Sequence, residues 1–112
     1  GIERKDDYVA SGLRSQVAGT IKHKDQLLAT VDRKLSRFMG DAALYAYVSM
    51  AEAVASSGLT AEQISHPRVG LIAGSGGGSP INQCEGMAVL KEKGVRRVGA
   101  FRVPRVMSST VS

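Results

Sequence analysis

The amino-acid sequence predicts an α/β chain in which helices pack on a mostly buried strand, and it predicts an incomplete one. Three observations carry this. In RVGLIAGSGGGSP, Val69, Leu71, Ile72 and Ala73 form a short apolar run bounded by a turn signal, the pattern of a strand buried on both faces of a parallel sheet. The run empties into Gly74, Gly76, Gly77 and Gly78, four glycines within five positions, where bare backbone permits positive φ and close approach. Upstream, Leu35, Met39, Ala43, Ala46, Met50, Ala53 and Val54 recur at three- and four-residue steps, as one face of a helix does.

Taken in order, residues 1–31 have weak periodicity and are expected to be mostly irregular, with short strands at Arg14–Ala18 and Thr20–Lys22. The opening lacks the strand that would begin a doubly wound domain, which suggests a piece of something larger. Helix is expected over 32–58: Asp32 caps a first turn, Gly40 and Asp41 break it from a longer helix, and Gly58 ends that helix. Its many alanines let it lie close against a sheet. Tyr45 and Tyr47 are expected to pack in the core or at its rim. Thr60–Ile64 is a short helical turn, closed by His66 and Pro67 because the residue before a proline is pushed towards extended geometry. Strand and glycine loop occupy 68–80. Ser79 and Pro80 then supply an N-cap and first helical residue for a helix over 80–93, ending at Gly94. Residues 95–103 form a basic connection, and a last helix begins near Pro104, with Ser112 falling in mid-element.

A chain of 112 residues is one domain at most and buries a modest core. No apolar run approaches a membrane span, GIERKDDYVA has no signal-like apolar stretch, and one cysteine excludes an internal disulfide; a cytoplasmic location is expected. The formal charge of +5 makes the placement of cations decisive. They fall into three groups: Arg14, Lys22 and Lys24; Arg33, Lys34 and Arg37; and Lys91, Lys93, Arg96, Arg97, Arg102 and Arg105. Neither interleaved aromatics nor a zinc-finger, RNP or helix-turn-helix signature accompanies them, which favours an acidic partner over nucleic acid.

Candidate chemistry is sparse. The glycine loop has Ser79 where a dinucleotide fingerprint needs its third glycine, and it lacks the Gly-Lys-Ser/Thr of a P-loop. Cys84 stands inside its helix beside Glu85, which disfavours a thiolate. His23 and His66 have no metal-ligand spacing to a second ligand, so no metal site and no cofactor are expected. The residues alone leave open a self-standing basic α/β module that binds an acidic protein or nucleic acid, and a nucleotide binder that uses the glycine loop.

The segments DRKLSRFMGDAALYAYVSMAEAVASSGL, PRVGLIAGSGGGSP and VPRVMSSTVS closely resemble, in that order, consecutive segments of the bacterial β-ketoacyl-acyl carrier protein synthases of type I. These are thiolase-fold ketosynthases, the elongating condensing enzymes of dissociated fatty acid synthesis, and the resemblance runs from about Gly12 to Ser112. It implies an incomplete thiolase-like fold from the first half of a longer chain. It also implies decarboxylative condensation of an acyl group with malonyl-carrier protein, in a homodimer whose partner is acyl carrier protein. The family's catalytic cysteine and histidines match none of Cys84, His23 and His66, so no catalytic residue is expected here and the 112 residues alone are expected to be inactive. By position, the resemblance places Gly77 at the acyl pocket, where a glycine leaves room for an acyl tail. Gln83, Val106 and Met107 correspond to positions that reach across the dimer to line the partner's pocket. Arg33, Lys34 and Arg37 resemble a patch that receives the carrier protein's acidic helix, and Lys93 and Arg96 a second strip. Ile81 and Asn82 depart from the arginine and aromatic pair of the family's loop.

Overall fold

The computed structural model describes residues 1–111. Strands β1 (Ile2–Arg4) and β2 (Val17–Gly19) pair antiparallel, with Ile2 opposite Gly19, Glu3 opposite Ala18 and Arg4 opposite Val17. Between them lies α1 (Asp6–Ala10), after which Gly12 turns the chain back at φ +70°. The strands therefore differ from those expected: β2 overlaps only the end of Arg14–Ala18, Thr20–Lys22 is not extended pairing, and the partner strand lies at the N-terminus. Three-residue strands carry too little periodicity to be read locally; their pairing comes from the fold-back around α1.

Helix α2 (Lys24–Ala29) leads to Val31, which is buried just before α3 (Arg33–Ser36) begins. Asp32 starts α3 by accepting the Lys34 amide at 2.6 Å. The chain breaks at Gly40 and continues as α4 (Asp41–Ser57), stopped by Gly58 at φ +69°. Helix α5 (Ala61–Ile64) opens with a reciprocal cap: the Thr60 amide donates to Gln63 Oε1 at 2.8 Å and the Gln63 amide to Thr60 Oγ1 at 3.2 Å. Helix α6 (Pro80–Lys93) begins on Ser79 and ends at Gly94, φ +76°. A 3-10 turn at Val95–Arg97 leads to α7 (Arg102–Val106), and a second 3-10 turn covers Ser108–Val111. Helix α7 starts two residues before the expected Pro104, which sits in the first turn, where its missing N–H leaves no helical bond unmade, and it ends at Val106 with Met107 extended instead of running on as expected.

The expected buried strand at Val69–Ala73 is irregular and has no ladder, and Ile72 is 99% exposed. A central strand is buried only when other strands flank it, and the described strands β1 and β2 pair with each other instead. Leu71 and Ala73 still face α4, where with Met39, Ala43, Met50 and Val111 they line an apolar trough of about 210 Å³. Apolar cover is thin throughout: Val31 and Ala43 are the buried hydrophobic residues among those described. The radius of gyration is 17.4 Å, where a closed domain of this length has about 13 Å. The helices are well formed, but the layers between them stand open.

Candidate functional site

The glycine loop, the start of α6 and the end of α7 meet at one point. Gly40, just before α4, is buried, and a Cβ there would collide with the Arg105 carbonyl and stand 3.0 Å from Ser79 Cβ. A Cβ on Gly78 would collide with the Val106 carbonyl and lie 3.2 Å from Val106 Cα. Two glycines thus let three chain segments touch backbone to backbone, one of the roles that a glycine cluster can serve. Ser79 is fixed in the same knot, accepting the Asn82 amide at 3.4 Å and the Asn82 side-chain Nδ2 at 2.8 Å; both residues are buried. The capping pair fixes the first turn of α6, and the approach to α7 is made by Gly78 beside it.

Beyond this knot, Gln83 on α6 and Val106 on α7 share an apolar groove of about 390 Å³ with Met87 and Val103. Met107 follows in extended geometry, about half exposed and outside the groove. Gly77 is exposed, and a Cβ on it would meet nothing within 4 Å. The structure therefore brings Gln83 and Val106 together, leaves Gly77 beside free space and sets Met107 apart.

Of the cations singled out in the sequence, Arg33 and Lys34 project from α3 into solvent. Arg37 has a more structured setting. Its guanidinium lies 5.0 Å from the Phe38 ring centroid and 4.8 Å from that of Phe101, and the two rings meet edge to face at 5.1 Å. Arg105 Nε donates to the Arg37 carbonyl at 2.8 Å, tying α7 to α3. Phe101 lies in the connection that carries Arg96 and Arg97, so the first basic group adjoins the segment bearing the second. Lys93 lines a cleft, while Arg96 is exposed on the neighbouring 3-10 turn. Phe38 and Phe101 are the members that sequence reading missed, and Arg105, counted there only as part of a basic group, gains its tie to Arg37 from the fold. Their contacts span more than sixty positions, and the one local sign was an Arg-Phe pair at 37–38.

Elsewhere, Lys24 sits with its Nζ 5.4 Å from the Tyr45 ring centroid, in a groove between α2 and α4. Hydrogen bonding to Tyr45, helped by the charges of Asp41 and Asp25, raises its pKa above the ordinary 10.5. Cys84 is exposed on α6, and His66 Nδ1 accepts the Arg68 amide at 3.2 Å as part of a turn. Among the described residues, no three His, Cys, Asp or Glu side chains cluster as metal ligands would. No described helix is long and apolar enough to cross a membrane.

Residues 2–112 match the family model for the β-ketoacyl synthase N-terminal domain. The chain belongs to this family. It is 47% identical over 115 residues to 3-oxoacyl-[acyl-carrier-protein] synthase 1 of Haemophilus influenzae, and 45% identical over 114 residues to that of Escherichia coli K12. The same enzyme of Buchnera aphidicola subsp. Baizongia pistaciae is 40% identical over 114 residues. These alignments take in all of the chain but 27% of the first relative and 28% of the other two. The helix-rich chain with its small two-stranded sheet is thus a partial α/β ketosynthase domain of the thiolase type, and its open apolar layers accord with spanning little more than a quarter of those relatives.

Proposed function

We propose that this chain supplies the acyl-pocket, dimer-interface and carrier-docking surfaces of a fatty acid condensing enzyme. Its reaction joins an enzyme-bound acyl group to malonyl-carrier protein, forming a carbon–carbon bond as carbon dioxide leaves and lengthening the chain by two carbons. Identity of 45–47% to two synthases, spread over the whole chain, is the observation that carries this. Cys84, His23 and His66 are given no part in the bond chemistry, which belongs to the complete enzyme. In that enzyme Gly77 leaves room for the acyl tail, while Gln83, Val106 and Met107 line the pocket across a homodimer. Arg33, Lys34 and Arg37, with Lys93 and Arg96, receive acyl carrier protein in the cytoplasm. Exposed cations suit a complex that forms and parts every cycle, because charge steering speeds encounter without burying much apolar area. A self-standing basic module is the less favoured alternative: it needs a closed core, and the described residues bury only Val31 and Ala43 as hydrophobic side chains.

Because Arg37 also packs on two phenylalanines, the discriminating variant is the double charge reversal Arg33→Glu with Lys34→Glu, which spares that packing. In the complete enzyme it should raise the apparent KM for carrier-linked substrates roughly tenfold, through slower charge-steered encounter, and leave small thioester mimics unaffected. Equal loss with both substrates would overturn the docking role.

A further inference from the structure

At the C-terminal end of α6, Lys93, Arg97 and Arg102 line a cleft of about 550 Å³ with Val89. Three of its four lining side chains are cations. Among the described residues, the carboxylate within 4 Å of these cations is that of Glu85, whose Oε2 lies 3.6 Å from Arg102 Nη1, too long for a hydrogen bond. That Nη1 is shielded from water and has no hydrogen-bond partner, although the Arg102 side chain as a whole is 28% exposed. Among the described residues, neither Lys93 nor Arg97 is paired with a carboxylate. A concave site lined by three cations, two of them without a paired carboxylate, is short of an anion.

We infer that this cleft binds a phosphate group, held by Arg97 and Arg102 with Lys93 at its mouth. Guanidinium forks match the paired oxygens of a phosphate, and an ammonium adds a compact charge that needs no fixed geometry. Val89 gives one apolar wall, so the site takes the charged group from one side. Glu85 competes with the ligand for Arg102. The inference stands apart from carrier docking and shares only Lys93 with it; Arg96, on the proposed docking strip but outside the cleft lining, separates the two.

The test is calorimetric titration of the protein with inorganic phosphate and, separately, with the monoester glycerol 3-phosphate at fixed low ionic strength. Saturable heat from both supports a site for the phosphate group whatever carries it, heat from the free ion alone supports a free-phosphate site, and heat from neither overturns the inference. Arg102→Gln and Arg97→Gln should each weaken binding at least fivefold, with Arg96→Gln unchanged; equal weakening by Arg96→Gln would reduce the effect to diffuse surface charge and sink the site. Glu85→Gln removes the competitor and should tighten binding several-fold. An unaltered or weaker isotherm for that variant refutes the role given to Arg102, even if the arginine variants fail to fold.

Discussion

Replacing Gly40 by alanine isolates the backbone contact on which the site is built. Its φ of −81° is open to any residue, so the added methyl costs nothing in backbone strain. The whole cost is steric: the methyl meets the Arg105 carbonyl oxygen, the Arg105 carbonyl carbon at 3.3 Å and Ser79 Cβ at 3.0 Å. None of these is the end of a flexible side chain. Arg105 is also anchored by its 2.8 Å bond to the Arg37 carbonyl, so α7 yields only by breaking that tie. Overpacking of this kind costs about 1–3 kcal/mol, and alanine is also a poorer N-cap for α4 than glycine, by roughly 0.5–1 kcal/mol. A total near 2 kcal/mol lowers the folded-to-unfolded ratio roughly 30-fold. With a urea dependence of about 2 kcal/mol per molar, the midpoint should fall by about 1 M. Gly77→Ala, entering open space, serves as the matched control and should lie within about 0.5 kcal/mol of the parent. Coincident midpoints for the two variants would refute the account of Gly40 as a point of backbone contact.

Other outcomes follow from single contacts. Ser79→Ala removes the α6 cap and leaves the buried Asn82 amide without its acceptor; it should cost about 1–2 kcal/mol in denaturant unfolding. Lys24 has a raised pKa, so its contribution to stability is fully present below the ordinary 10.5 and is lost as pH climbs through the elevated value. Thermal midpoints measured from pH 9 upwards should fall more steeply for the parent than for Lys24→Met, and parallel curves would count against the Tyr45 contact. Gly77→Ile should leave folding intact, since a Cβ there has nothing within 4 Å, yet shorten the acyl chains accepted in condensation assays of the complete enzyme. An unchanged product profile would remove Gly77 from the acyl pocket.

Helix limits were the most legible feature, because the signals that set them act within a few residues. Asp32, Gly58, Thr60, Ser79 with Pro80, and Gly94 each start or stop a helix through bonds or φ angles confined to one turn. The three motif segments likewise carried the family without reference to three dimensions. Val69–Ala73 marks the limit: its apolar run announces extended backbone, but pairing and burial depend on neighbouring strands that no local pattern specifies.

The sequence by itself therefore determined the helices, the glycine loop and the kinship with ketosynthases, since these reside in short-range order and residue identity. Only the tertiary structure decided that Gly40 and Gly78 admit α7, that Arg37 rests on Phe38 and Phe101, and that Arg102 turns between Glu85 and a cationic cleft. Contacts such as Gly40 to Arg105 and Arg37 to Phe101 join residues more than sixty positions apart, and their energies arise from shape and charge that exist only once the segments have met.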